Sequence, residues 1–595
     1  MSDQQSSNHI MNVRHSLAHL LAATVIEMYP GAKNAIGPAI ENGFYQDFDM
    51  PEAISEDDLP KIEAKMREKL KTWGKFERQE VDADEARKQF AWNPYKRELI
   101  DEFSGSGKQI TFYKSGSFID LCRGGHVEDA SEINPHAFKL TKVSGAYWRA
   151  DQTKQQLQRI YGVAFETPDE LKKYLQMIEE AKRRDHRKLG EELDLFVFSD
   201  LIGAGLPLFT PRGTVLRRQL DNFVQELRDE YDYQEVNIPH ITKKDAYIAS
   251  GHWKKFQHEL FRITTREGHE FAMKPMNCPH HTQLYAARAR SYKELPIRYR
   301  ETTTCYRDEQ TGELSGLSRV RSFTQDDAHV FCRVNHVKEE VLKIWDIIDR
   351  FYGTFGFELR VRFSTHDPKN MEAYSGTEEG WKSAEAQLLE IIKQRVGDNF
   401  IDGVGEAAFY GPKIDFMAKD AIGREHQVAT TQLDFNLPEG FDLYCANEAG
   451  ERERIIMIHA AIMGSIDRFL SVYIEHSAGK FPVWLAPEQI RIATVNQEDD
   501  IVSFAKGIAK QAKELGLRAV VDDNNESVGK KIRAAELMKV PYTIVIGQKE
   551  AESGQVVPRV RKDIEVSKEH EARTVEEFLR TIANETKTRV NNTSL

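Results

Sequence analysis

The sequence predicts a multidomain α+β protein, and three observations predict it. The chain has 595 residues, more than one core organises, and a length prior asks for roughly three to five domains. Over 189–486, helical and strand patterns alternate without the regularity of βαβ units, which points to an antiparallel sheet with flanking helices. After Pro487 the pattern becomes strand 490–495, helix 501–515, strand 518–521, helix 528–538 and strand 542–546, the alternation of an α/β unit.

The elements follow in order. Residues 1–9 are polar and read as a disordered tail. Residues 10–166 form a mixed α/β unit: an apolar helix opens at His15-Ser-Leu-Ala-His19-Leu-Leu, a turn-rich strand region covers 37–48, and a charged helix covers 58–73. Residues 167–188 are polar with helical period and end in the basic run Lys182-Arg-Arg-Asp-His-Arg-Lys188, a linker helix with a solvated face. Residues 213–239 give a long amphipathic helix followed by Glu235-Val-Asn-Ile-Pro239. Residues 487–595 carry 18 basic and 18 acidic side chains, so composition does not mark this unit as an RNA binder. There are no internal repeats.

Composition excludes several classes. Hydrophobic residues make up 40% and charged residues 30%, with a net charge of −12. That is an ordinary globular balance without a generally basic coat, although local Arg and Lys suffice for phosphate contacts. No apolar run reaches membrane-span length, and the polar start MSDQQSSNHI has no signal-peptide pattern. Five scattered cysteines, at 122, 278, 305, 332 and 445, argue against a disulfide framework and make a cytoplasmic setting the default.

The chemistry concentrates in Tyr306-Arg307-Asp308-Glu309 and Arg319-Val-Arg321-Ser-Phe323-Thr-Gln325-Asp-Asp327-Ala-His329. An arginine, an acid and an aromatic at the spacing of two strands joined by a loop can hold ATP in a bent shape. Arg307 neutralises an α-phosphate, Phe323 stacks on the base, and Arg319 reaches a terminal phosphate with a planar fork suited to paired oxygens. The nearest phosphate-loop candidate, Gly105-Ser-Gly107-Lys108, is followed by Gln109 and lacks the rest of that motif.

This stretch resembles motif 2 of class II aminoacyl-tRNA synthetases. With Met276-Asn-Cys278-Pro upstream and Ile458-His459 downstream, the chain from about residue 12 onward is similar to the threonyl-tRNA synthetase family. The resemblance implies an editing domain (10–166), a class II catalytic domain built on an antiparallel sheet with flanking helices (189–486), and a C-terminal α/β anticodon-binding domain (487–595). It also implies a form without the small N-terminal ubiquitin-like domain. Residues 235–239 resemble motif 1, which in the family builds a homodimer interface. Gly464-Ser465-Ile-Asp-Arg468-Phe469 resembles motif 3.

Residue by residue, the resemblance implies an ATP site of Arg307, Glu309, Arg319, Phe323, Gln432 and Arg468, with Mg2+ accompanying ATP. It implies a threonine site of Met276, Gln325, Asp327, Tyr410, Gln427 and Ser465, with Asp327 on the ammonium. Lys413 and Arg307 assist catalysis, and His252 near the tRNA ribose is a general base, a task suited to an imidazole titrating near neutrality. Cys278, His329 and His459 match the zinc ligands, and three protein ligands leave a position open. The amine and hydroxyl of threonine can both bind such a metal, whereas valine offers no hydroxyl. A site demanding a hydroxyl rejects an analogue lacking it by roughly 10⁴ or more. Serine keeps the hydroxyl, and one missing methyl separates it from threonine by only about 1–3 kcal/mol, so a second, hydrolytic site is expected.

The editing positions are His15, His19, Lys96, Asp120, Cys122 and His126. Two His/Cys pairs would suit zinc, and the alanyl editing domain has a related pattern. Ser144-Gly-Ala-Tyr147-Trp148-Arg149 aligns this site instead with the threonyl type, which needs no metal. Asn525, Glu550 and Arg559 match anticodon-reading positions. Departures from the family pattern are His280 where Gly is usual, Ala460 and Asn524 where Arg is frequent, and Ala429 for Gly. The implied partners are tRNA(Thr), ATP, L-threonine and a second copy of the chain. Three other readings are a ligase for another amino acid, a non-catalytic RNA-binding paralogue and a free-standing deacylase.

Overall fold

The computed structural model describes residues 3–151, 153–564, 571–591 and 593, and the chain divides into two compact units, Met1–Glu179 and Glu180–Leu595.

In the first unit, α1 (Asp3–Met28) is followed by β1 (Gly43–Asp49), α2 (Leu59–Leu70), β2 (Glu77–Val81), α3 (Pro94–Gly105), β3 (Ile110–Ser115), β4 (Phe118–Leu121), β5 (Phe138–Tyr147) and β6 (Gln156–Ala164). The disordered tail expected at 1–9 is overturned for residues 3–9, which are helical; residues 1 and 2 lie outside the described residues. The buried run Leu17, Leu20, Leu21 and Val25 anchors α1, and once a helix is nucleated each further residue costs little. That face packs with Ile62 and Met66 of α2 against Phe44, Phe48, Phe138 and Ile160 of the antiparallel sheet β1-β6-β5. A second antiparallel sheet, β2-β3-β4, delivers the chain to Asp120 and Cys122.

The single linker helix expected over 167–188 is two helices, α4 (Pro168–Arg184) and α5 (His186–Glu192). Asp185 breaks them, its side chain accepting from the Arg187 N–H at 2.8 Å as the cap of α5. The basic run is not a uniformly solvated face either, because His186 is buried.

The second unit continues with α6 (Pro211–Asp229), α7 (Cys278–Ala286), β7 (Ile297–Tyr306), β8 (Ser322–Cys332), α8 (Val337–Thr354), β9 (Leu359–Thr365), β10 (Lys413–Lys419), β11 (Glu425–Asp434), β12 (Ile456–Ser465) and α9 (Ile466–Ser477). Pro211 at the first turn and the Thr210 hydroxyl, accepting from the Gly213 N–H at 3.2 Å, start α6. The strands order as β7-β8-β12-β11-β10-β9, all antiparallel, with short strands Gln234–Glu235 and Phe400–Val404 added parallel at the two edges. One face is covered by α6, α8 and α9 through Leu220, Ile344, Ile348, Phe351 and Phe469. The opposite face carries the polar residues described below.

The end of the chain forms β13 (Ile490–Thr494), α10 (Asp499–Glu514), β14 (Ala519–Asp522), α11 (Val528–Leu537), β15 (Tyr542–Ile546), β16 (Arg559–Val560) and α12 (Val575–Thr588). The order β14-β13-β15 is parallel and β16 closes it antiparallel, as the alternation in the sequence predicts.

Candidate active site

Two lines of side chains cross on the central sheet. Along β8, Phe323, Gln325, Asp327 and His329 sit at alternate positions and so share one face, stepping roughly 7 Å at a time. Across the sheet, His329 pairs with His459 on β12, His459 with Gln432 on β11, and Gln432 with Lys413 on β10. Directly paired residues also share a face. The two lines meet at His329.

At the crossing, ligand atoms of Cys278, His329 and His459 lie within 4.8 Å of one another, all three residues buried. Nδ1 of His329 is 2.7 Å from Nδ1 of His281, and Oδ2 of Asp434 accepts from Nε2 of His459 at 2.8 Å. Oε2 of Glu301 lies 3.8 Å from Nε2 of His281, which favours a proton there and leaves Nδ1 of His281 to accept from His329. The two inner nitrogens, His329 Nε2 and His459 Nδ1, then face each other as lone pairs at 3.0 Å. That arrangement fits a cation between them, with carboxylates at the far ends setting the tautomers. Burial, reinforced by His459 and His281, pushes the His329 pKa well down, so the ring is neutral as a ligand must be. Burial also pushes the Cys278 thiol well up, with Asp327 and Asp434 adding to it, so a metal would have to displace its proton.

Around this centre Asn277 donates to Asp327 at 2.9 Å, the Tyr410 hydroxyl donates to Gln432 at 2.6 Å, and the Tyr410 ring lies 5.0 Å from that of His459. Lys413 pairs with Asp415 at 2.9 Å, Gln325 Oε1 is 3.8 Å from the Cys305 thiol, and Met276 packs against the buried cluster to which Cys278 and Phe331 belong. Burial pushes the Asp327 carboxyl up, opposed chiefly by His281; an ammonium group would supply the missing partner.

At the other end of β8 a cavity of about 600 Å³ is lined by Arg307, Glu309, Arg319, Phe323, Gln427, Ser465 and Arg468. The Arg307 guanidinium lies over Phe323 at 5.2 Å, and its buried Nε has no partner among the described residues. Arg319 is held by Glu309 at 2.7 Å. Arg468 has no carboxylate partner among the described residues, and the Ser465 hydroxyl starts its helix by accepting from the Arg468 N–H at 3.0 Å. Unpaired guanidinium groups beside an aromatic face suit a nucleotide triphosphate.

In the first unit, the four ligand-type atoms of His15, His19, Cys122 and His126 also lie within 4.8 Å of one another. Cys122 Sγ is 3.2 Å from His126 Nε2 and 3.6 Å from His15 Nε2. Gly125 O at 3.2 Å orients His15 and the Ser16 hydroxyl at 3.2 Å orients His126. Lys96 and Asp120 form a buried ion pair at 2.7 Å whose charges reach His15 and Cys122. Burial lowers His126 to about 3 and raises Cys122 to about 11, so the cluster holds neutral imidazoles and a thiol. Its geometry also meets the ligand count for a cation.

Residues 261–477 match the tRNA synthetase class II core domain (G, H, P, S and T), residues 489–585 the anticodon binding domain, and residues 110–161 the threonyl and alanyl tRNA synthetase second additional domain. The threonine–tRNA ligase of Phocaeicola vulgatus is 46% identical over 583 residues, 97% of this chain and 88% of that protein. That of Parabacteroides distasonis is 48% identical over 551 residues, 92% and 84% respectively. The chain belongs to the threonine–tRNA ligase family. Among solved structures, the RNA binding domain of threonyl-tRNA synthetase from Cryptosporidium parvum Iowa II matches with a TM-score of 0.64 at 34% identity, covering 69% of this chain and 99% of that one. The prolyl-tRNA synthetase of Giardia lamblia shares the fold at TM-score 0.53 and 18% identity, covering 68% of this chain and 81% of that one.

Burial, then His459 and Arg307, lower the His252 pKa from its ordinary value to about 3. Its Nδ1 lies 2.7 Å from the Ser250 hydroxyl, and its buried Nε2 has no partner among the described residues. His280, the departure beside Cys278, points to the Thr242 hydroxyl at 2.6 Å and is not among the clustered ligand atoms. His281, Asp434, Asn277 and Glu301 were missed. His281 was findable, three residues after Cys278 on α7 and therefore on its face; the others are joined to the site only by tertiary contacts. At the tRNA end, Asn525 and Arg559 are exposed, while Glu550 is turned back to accept from the Gly547 N–H at 2.9 Å.

Proposed function

We propose that the protein activates L-threonine with ATP, transfers it to tRNA(Thr), and hydrolyses seryl-tRNA(Thr) at a separate site in its first unit. The observation that carries the synthetic reading is the crossing of the two side-chain lines: nucleotide cavity, ammonium-seeking carboxylate and metal-type cluster lie in sequence along one strand.

Cys278, His329 and His459 would hold Zn2+, which when bound supplies a position selective for an amine with a neighbouring hydroxyl. Asp327 takes the ammonium, and Gln325, Gln427, Met276, Tyr410 and Ser465 enclose threonine and its adenylate. Phe323 stacks on adenine. Arg307 and Lys413 neutralise charge as the threonine carboxylate attacks the α-phosphorus, while Glu309 steers Arg319, which with Arg468 and ATP-borne Mg2+ holds the β- and γ-phosphates; Gln432 completes the floor. Catalysis here is positioning and electrostatics. His252 Nε2 accepts a hydrogen bond from the terminal ribose as its hydroxyl attacks the adenylate. In the editing site the Lys96–Asp120 pair and the neutral cluster of His15, His19, Cys122 and His126 bind the seryl ester and orient water. Asn525 and Arg559 face the anticodon, Glu550 reads it once its carboxylate releases the Gly547 N–H, two copies associate through the motif 1 region, and the setting is cytoplasmic. Among the described residues, no helix is long and apolar enough to cross a membrane.

The test is charging of tRNA(Thr). The protein should accumulate threonyl-tRNA and no seryl-tRNA, and Lys96→Ala should accumulate both. Stable seryl-tRNA from the unaltered protein would overturn the editing assignment.

A further inference from the structure

The basic run 182–188 has no part in the roles above, yet His186 within it is only 4% exposed. Its backbone N–H and its Nδ1 both reach Oε1 of Glu475, at 3.2 and 2.6 Å. Its Nε2 lies 3.0 Å from the backbone N of Leu317. An amide N–H only donates, so Nε2 is the acceptor and Nδ1 carries the proton given to Glu475. The ring is a two-ended strut between the last turn of α9 and the loop that joins β7 to β8. With both nitrogens engaged, Asp185, His186 and Glu475 do not form a metal site, although their oxygen and nitrogen atoms cluster.

The loop is shaped around this ring. Gly316 adopts φ 50°, and a Cβ there would stand 2.2 Å from His186 Nε2. Leu317 is fully buried. Ser318 Oγ meets Ser471 Oγ of α9 at 3.1 Å, and Arg319 follows directly. Ser318, Arg319, Ser471 and Glu475 all line the nucleotide cavity. Glu475 also accepts from Arg424; Arg424 binds Asp420 at 2.7 Å, and His426 meets the same carboxylate at 3.0 Å. His426 belongs to the β11 wall of the cavity. One carboxylate thus ties together three walls, and His186 is its link to one of them, the loop carrying Arg319.

We propose that His186, held by Glu475, is a positioning residue for ATP: it pins the β7–β8 loop at Leu317 so that Arg319 faces the phosphates. This rests on the reading of the cavity as the ATP site. The test compares His186→Ala, His186→Gln, Gly316→Ala and the double variant His186→Ala/Gly316→Ala in ATP–pyrophosphate exchange, together with amide hydrogen exchange of a peptide covering 311–321. His186→Ala should raise KM for ATP about tenfold, the scale of one lost buried hydrogen bond, and leave KM for threonine within about twofold. His186→Gln, whose amide oxygen can accept from Leu317, should recover most of the loss. In the double variant the ring that a Cβ at 316 would strike is gone, so the combined effect should fall below the product of the two single effects. The loop peptide should exchange faster in His186→Ala. An unchanged KM for ATP, an equal rise in both KM values, or unchanged exchange of the loop would overturn the proposal. Absence of any exchange activity in the unaltered protein would instead sink the ATP reading, while the amide exchange would still decide whether His186 anchors the loop.

Discussion

Asp434 illustrates what decides a site at the scale of single residues. It is fully buried, and its Oδ2 fixes the tautomer of His459 while its Oδ1 accepts from the Asn436 and Leu437 N–H groups at 2.9 Å each. A ligand imidazole needs this second partner to present the correct nitrogen. Asp434→Asn is expected to weaken zinc binding by about 10- to 100-fold, measured by competition with a chelator; unchanged affinity would remove Asp434 from the metal's support. Metal analysis also separates the two Cys/His clusters. The unaltered protein should carry one zinc per chain, Cys278→Ser should carry none, and Cys122→Ser should keep it. Loss of metal in Cys122→Ser would relocate a zinc site to the editing cluster.

Among the elements, β8 does most to build the site, and its register depends on Asp326. The pairing of β8 with β12 shifts between Gln325 and Asp327. The Asp326 carboxylate accepts from the Ile462 and Met463 N–H groups, at 2.9 and 3.0 Å, which the bulge leaves off the ladder. The same carboxylate faces the buried Arg228 at 3.4 Å. Asp326→Ala leaves two amides without an acceptor and removes the carboxyl facing Arg228, whose guanidinium keeps the Asp326 and Ala460 carbonyls; it should cost about 2–4 kcal/mol in urea denaturation, and a loss under about 1 kcal/mol would mean that the bulge does not need this residue. The sequence was readable where chemistry is local. The Arg307–Glu309 and Arg319–His329 stretch is one hairpin, and the strands and helices after 490 alternate plainly. It was silent where the site depends on register: nothing in the spacing says that His329, His459, Gln432 and Lys413 fall in one row, and only family resemblance brought them together. The run 182–188 misled because its charges describe a solvated helix while one buried imidazole in it contacts a distant loop.

For the molecule as a whole, acid should destabilise the first unit through its His/Cys cluster. Burial lowers His126 from its ordinary 6.5 to about 3, with His15 adding to it, and burial also lowers His15 and His19. A histidine with a depressed folded pKa binds fewer protons folded than unfolded, so its stabilisation is present above pH 6.5 and is lost as pH falls toward 3. His126 alone should cost the first unit about 2 kcal/mol between pH 7 and pH 5, seen as a falling urea midpoint for that unit. His126→Gln should flatten the dependence, and an equally steep fall in that variant would place the acid sensitivity elsewhere. Whether this sheet activates threonine and chooses it by a metal-held hydroxyl is decided by ATP–pyrophosphate exchange with threonine, serine and valine, before and after zinc removal. Exchange is expected with threonine, more weakly with serine and almost not at all with valine, and it should be lost without zinc. Exchange with valine comparable to threonine, or threonine exchange that survives complete zinc removal, would contradict it.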